Sequence, residues 1–123
     1  MYSARLLDHF QNPRNVGDLQ PPAATVEVSN PVCGDILRLS VELRDNRVAQ
    51  ARYKTRGCTA SIAAGSALTE LLIGRTPAEV DALRVVDVEN AVGGLSPESK
   101  HAAVLAIAAV HAWRRLIPAR GAL

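Results

Sequence analysis

The sequence predicts an α+β fold: a small antiparallel sheet of about three strands packed against helices. Three observations carry it. A short helical segment opens the chain. Apolar residues then recur at alternate positions through three segments between Val26 and Thr55. After Gly57 the apolar spacing becomes that of helices and stays so toward the end of the chain.

Taken in order, Leu6, Leu7 and Phe10 fall at helical spacing behind Ser3, a good N-cap residue, and Asn12-Pro13 ends that helix. Residues 14 to 24 read as a loop, punctuated by Gly17 and Pro21-Pro22. Val26 and Val28 alternate with polar residues, and Leu37, Leu39, Val41 and Leu43 do so more clearly. Arg44-Asp45-Asn46-Arg47 has turn chemistry, so Val48 to Thr55 returns as the second arm of a hairpin, with Ala49, Ala51 and Tyr53 on one face. Ala60, Ala63, Ala64, Ala67, Leu68, Leu71 and Leu72 then mark a helix, with Gly74 at its C-terminal end. Thr76-Pro77-Ala78-Glu79 is a capping box with proline at the first helical position, and it opens a short helix through Leu83. Gly93-Gly94 is a break, with no element assigned between Leu83 and Gly93. Ser96-Pro97 opens a last helix whose apolar face carries Val104, Ile107, Ala108 and Leu116, stopped by Pro118.

Composition bounds the rest. A chain of 123 residues with 48% apolar and 21% charged residues suits one compact domain, residues 1–123. Phe10, Trp113, Tyr2 and Tyr53 are the only aromatics, so the core is expected to be aliphatic and alanine-rich. The net charge is +2, with no basic stripe and no aromatics interleaved among the cations, which argues against nucleic-acid binding. No apolar run approaches the ~20 residues of a membrane-spanning helix. Met1-Tyr2-Ser3-Ala4-Arg5 lacks the apolar stretch of a signal peptide, so a cytoplasmic protein is expected.

Cys33 and Cys58 are too few for a disulfide framework and are expected as thiols. Cys33-Gly34-Asp35 stands at the entry to the second strand, where the glycine permits a tight turn that brings thiolate and carboxylate toward one point. Cys58 stands between the third strand and a helix, where the helix N-terminus favours thiolate, with Lys54 and Arg56 nearby in sequence. His101 falls early in the last helix. Cys33, Asp35, Cys58 and His101 offer two sulfurs, an oxygen and a nitrogen, a tetrahedral set suited to zinc or iron. Spacing alone leaves this open, since there is no CxxC or HxxxH pair and the cysteines could be small buried residues. His9 and His111 read as structural. A Cys–His hydrolase lacks a visible orienting third group, and no GxxxxGK[ST] or GxGxxG phosphate loop is present, so an enzyme is not expected.

Longer stretches add a resemblance. Tyr2-Ser3 followed by Asp8-His9-Phe10-Gln11-Asn12-Pro13-Arg14-Asn15-Val16-Gly17, then Pro31-Val32-Cys33-Gly34-Asp35, then Ala51 to Cys58 with Ala60-Ser61-Ile62-Ala63, and finally Leu95 to Ala106 resemble, in order, the IscU and NifU N-terminal domain family. The resemblance runs from Tyr2 to about Trp113, without the insertion between cysteine motifs that marks the SufU type. It implies a three-stranded antiparallel sheet with helices. It also implies an iron–sulfur cluster assembly scaffold or carrier, with Cys33, Asp35, Cys58 and His101 holding zinc, iron or a transient [2Fe–2S] cluster. Cys58 or Cys33 would accept persulfide sulfur from a cysteine desulfurase, and apo-proteins would receive the cluster.

Two positions depart from the family pattern. Ala102 stands where the family has its third cysteine, which bears on persulfide acceptance and cluster binding. Leu95-Ser96-Pro97-Glu98-Ser99 stands where the family has the LPPVK segment read by an Hsp70-type chaperone, which bears on that recognition. The alternatives are a regulatory module docking a desulfurase, and a persulfide carrier without a cluster.

Overall fold

The computed structural model describes residues 2–32 and 34–117. Helix α1 (Ala4–Gln11) leads into strands β1 (Ala24–Ser29), β2 (Ile36–Arg44) and β3 (Arg47–Arg56). These are followed by α2 (Thr59–Leu72), α3 (Pro77–Asp81), α4 (Val85–Ala91), a 3₁₀ turn (Pro97–Ser99) and α5 (His101–Leu116). The sheet runs β1-β2-β3 and both pairings are antiparallel, as the alternation of apolar residues predicts.

Leu37, Leu39 and Val41 of β2 lie on the face that the helices cover, beside Tyr53 and Ala51 of β3. Helix α2 packs on β3, and α5 crosses β1 and β2. Helix α1 rests on α2, and α4 fills the angle between α2 and α5. Small side chains let the two long helices approach: α2 buries Ala60, Ala63, Ala64 and Ala67, and α5 buries Ala102, Ala103, Ala106 and Ala109. The expected aliphatic, alanine-rich core is therefore present. Gly65 is part of the same fit, because a Cβ there would stand 2.5 Å from the Tyr53 ring. The Tyr53 hydroxyl donates to the Ile62 carbonyl at 2.8 Å, and burial pushes its pKa up to about 12. This contact sets α2, and hence the residues at its N-terminus, against the sheet.

Several local expectations shift. In β3 the pairing slips between Glu42↔Gln50 and Leu43↔Val48, so Ala49 is an unpaired bulge residue. Val48 takes the core position and Ala49 is only half-buried, although alternation had grouped it with Ala51 and Tyr53. In α1, Leu6 and His9 are buried while Leu7 and Phe10 are exposed, because a short helix laid mainly on α2 buries one narrow stripe. In α5 the buried stripe runs through Ala102, Leu105, Ala106, Ala109 and Trp113. Of the face expected from spacing, Ile107 is buried and Ala108 half-buried, whereas Val104 is 55% and Leu116 56% exposed, so that face coincides only in part with the inner one. That helix starts at His101, after a separate 3₁₀ turn, rather than at Ser96-Pro97. Helix α4 occupies the stretch left unassigned: Asp87 caps it by accepting from the Arg84 amide at 2.8 Å, and Val88 and Val92 are fully buried beneath it. Pro118 lies outside the described residues.

Candidate metal centre

Three loops meet at one end of the sheet. The first joins β1 to β2. Its base is tied by Asn30 N–H to the Asp35 carbonyl (2.8 Å) and Gly34 N–H to the Asn30 carbonyl (2.7 Å). Gly34 has φ +79°, the left-handed turn that its place in Cys33-Gly34-Asp35 suggested. Asp35 is thereby delivered, buried, at the start of β2. Cys33 itself lies outside the described residues.

The second loop joins β3 to α2. Cys58 is the N-cap of α2, yet its side chain caps no backbone amide. A serine or aspartate there would turn inward to the first turn of the helix. The Cys58 thiol instead points across to Asp35, with Sγ 3.7 Å from Oδ2. Gly57 makes this approach possible: a Cβ on it would stand 2.7 Å from Cγ of Asp35 and 2.9 Å from each carboxylate oxygen, so Asp35 packs directly over it.

The third is the 3₁₀ turn before α5. His101 Nδ1 lies 3.0 Å from the Glu98 carbonyl oxygen. A carbonyl can only accept, so Nδ1 carries a proton and Nε2 is the nitrogen left to offer a lone pair to an ion. That nitrogen is 3.5 Å from Oδ2 of Asp35 and 3.7 Å from Sγ of Cys58.

Asp35, Cys58 and His101 thus put an oxygen, a sulfur and a nitrogen at the corners of one small triangle. A tetrahedral ion with bonds of about 2.3 Å to sulfur and 2.0–2.1 Å to nitrogen or oxygen separates its ligands by roughly 3.4–3.6 Å. The observed separations of 3.5, 3.7 and 3.7 Å match one face of that tetrahedron to within a few tenths of an ångström. A soft thiolate, an imidazole and a carboxylate suit Zn²⁺ or iron. The site is also accessible, since Cys58 is exposed and the His101 side chain keeps 30% of its surface.

The other sequence candidates lie elsewhere. Lys54 is paired at 3.0 Å with Asp18, which also pairs with Arg38 at 3.0 Å, so its charge is neutralised away from the thiol. His9 is buried in α1 and His111 is exposed on α5, neither of them in the metal triangle. Ala102 is buried in the core directly after His101. Ser61, by contrast, had drawn no attention in the sequence. It stands one helical turn after Cys58, and its Oγ is 3.4 Å from Cys58 Sγ and 2.5 Å from Asp35 Oδ2. The spacing of three residues from a candidate ligand was the available signal.

Residues 1–114 match the family model of the NifU-like N terminal domain. The chain is 41% identical over 106 residues to the iron-sulfur cluster assembly scaffold protein IscU 1 of Archaeoglobus fulgidus, which covers 86% of this chain and 69% of that protein. It is 36% identical over 115 residues to the iron-sulfur cluster assembly scaffold protein IscU of Azotobacter vinelandii, covering 90% and 89%. Among solved structures, FiSufU from the thermophile Fervidobacterium Islandicum AW-1 shares the fold with a TM-score of 0.73 at 18% identity, over 90% of this chain and 94% of that one. A nitrogen-fixing NifU-like protein (N-terminal) from Brucella abortus does so with a TM-score of 0.62 at 24% identity, over 91% and 78%.

Proposed function

Because the chain belongs to the family of NifU-like N-terminal domains, we propose that it is an iron–sulfur cluster assembly scaffold or carrier, and not an enzyme. The carrying observation is the Asp35–Cys58–His101 triangle, already spaced for a tetrahedral ion at an exposed end of the fold. Cys33, one residue outside Gly34-Asp35, is the fourth donor in this reading. Four donors supply two ligands to each iron of a [2Fe–2S] cluster, and His can stand for Cys on such an iron.

The cargo has to leave again. An accessible thiol, a half-exposed imidazole and a carboxylate in place of a further thiolate make a site suited to release. A cysteine desulfurase would supply the sulfur and apo-proteins would receive the cluster. Recognition by an Hsp70-type chaperone forms no part of the proposal, because Leu95-Ser96-Pro97-Glu98-Ser99 differs from LPPVK and its Glu98 carbonyl is engaged by His101.

Anaerobic reconstitution with ferrous iron and sulfide tests the reading. The wild-type chain should acquire the visible absorbance of a cluster, and Cys58→Ser and His101→Ala should lose most of it. A chain that stays colourless while binding one equivalent of Zn²⁺ through the same residues would sink the cluster reading and leave a zinc-bound docking module.

A further inference from the structure

Among the described residues, Ser61 is a buried polar side chain at the site to which neither the sequence motif nor the proposed ligand set gives a role. A serine in the first turns of a helix ordinarily bonds to its own backbone nearby. This one reaches across 26 positions of sequence to Asp35. Its hydroxyl donates to Oδ2, the same oxygen that faces Cys58 and His101. Gly57 closes on the carboxylate from below, so Asp35 is held from two sides.

The distances decide between two roles. Ligands of one tetrahedral ion stand roughly 3.4–3.6 Å apart. Ser61 Oγ is 2.5 Å from Asp35 Oδ2, a charge-assisted hydrogen bond and too short for two ligands of the same ion. Oδ2 therefore has one lone pair directed to the serine and one directed to the triangle, which presents the carboxylate through a single oxygen. At 3.4 Å from Cys58 Sγ, the serine oxygen can accept from the thiol in the metal-free protein, which turns the thiol toward the same point.

Resting on the metal-site reading above, we propose that Ser61 is the positioning residue of this centre: it stays outside the coordination shell and acts through Asp35, which it orients as a one-oxygen ligand. Outer-shell partners of this kind are worth about 10–100-fold in metal affinity.

The test is a Co²⁺ titration of the full chain, read by the visible ligand-field bands of the bound ion, on wild type, Ser61→Ala, Asp35→Ala and the double variant. Ser61→Ala should weaken Co²⁺ binding about tenfold and change the ligand-field spectrum, while the metal-free protein keeps its far-ultraviolet signal. In the Asp35→Ala background the same substitution should change affinity less than about twofold, because a residue acting through a partner adds nothing once the partner is gone. An undiminished affinity and unchanged spectrum in Ser61→Ala, or an equal loss in both backgrounds, overturns the proposal. Ser61→Thr keeps the hydroxyl and guards against misfolding of the alanine variant. It should bind Co²⁺ within about twofold of wild type, and a loss as large as that of Asp35→Ala would again overturn the assignment. If wild type itself takes up no Co²⁺, the metal-site reading has failed, and that outcome is distinct from a wild type that binds with Ser61 inert.

Discussion

Two histidine–serine clusters hang on helix α2. Near its N-terminus, Cys58 and Ser61 meet Asp35 and His101. Midway along it, Ser66 meets His9 at 2.7 Å and also accepts the Arg14 amide at 2.9 Å. In the second cluster the other nitrogen of His9 faces Glu70 at 3.7 Å, Arg14 pairs with Asp8 at 2.7 Å, and Asn15 donates to Thr69 at 3.1 Å. Both clusters are polar and both are pinned to the same helix, yet they differ in what their histidines have left to offer. Each nitrogen of His9 faces an internal partner, and the ring is buried. His101 uses one nitrogen on a backbone carbonyl and turns the other toward a thiol and a carboxylate at an accessible edge. A histidine among polar groups is a latch when both nitrogens face inward, and a candidate ligand when one is left facing other ligand atoms.

The contrast can be broken by exchanging losses between the clusters. His101→Ala should lower Zn²⁺ or Co²⁺ affinity by more than about 100-fold, beyond the range set by outer-shell partners, and barely move the denaturation midpoint of the metal-free protein. Ser66→Ala should do the reverse. It strips a part-buried amide and a buried imidazole of their partner, for a loss of about 1–3 kcal/mol by urea denaturation, with metal affinity within twofold of wild type. If Ser66→Ala weakened metal binding as much as His101→Ala, the two clusters would be one cooperative unit.

Gly57→Ala is a finer probe. The added methyl must displace the Asp35 carboxylate or the loop, because Cγ of Asp35 would be only 2.7 Å and each carboxylate oxygen 2.9 Å from the new atom. The expected result is a weakening of Co²⁺ binding near that of Ser61→Ala, with a smaller change in stability than Ser66→Ala produces.

The pH dependence separates the clusters most gently. Burial, followed by the charge of Arg14, pulls the His9 pKa below its ordinary 6.5, and Glu70 and Asp8 only partly oppose this. The unfolded chain therefore binds the proton first as pH falls. This group's stabilising contribution is complete above about pH 6.5 and is lost progressively below it. The loss of stability between pH 7.5 and 5.5 should be smaller in His9→Gln than in wild type. Equal losses would place the acid sensitivity outside the latch.

Much of the fold was legible because its signals were redundant. Strand β2 alternates cleanly, Thr76 and Glu79 form the capping box that their spacing announces, and Ser3 accepts from the Leu6 amide as an N-cap should. Helix α4 was not legible, because Val85, Val86 and Val88 are β-branched and Asp87 caps from inside the helix. Nor was the bulge at Ala49, which a two-residue period cannot signal. In α5 the eye goes to Val104 and Leu116, whereas the buried stripe combines alanines with Leu105, Ile107, Val110 and Trp113. Residue types named the donors Asp35, Cys58 and His101, but their convergence depended on three loops distant in sequence. Gly57 and Ser61 lie within family-like segments, but nothing in the sequence gives either a role at the site. Their roles exist only once Asp35 is laid across them.

The segment Asn15–Gly17 covers a sheet edge in a protein whose Asp35–Cys58–His101 end is accessible. Along the open margin of β3, the Tyr53 amide donates to Asn15 and the Tyr53 carbonyl accepts from Gly17. An intruding strand from a second copy would find those two rungs taken. It would also have to lie beside Arg52 and Arg56, two exposed cations of that strand, with Lys54 between them paired to Asp18. Like charges from an identical chain would repel there, and margins of this kind resist runaway stacking of sheets. The molecule can leave one end reactive because this flank is poorly suited to polymerisation.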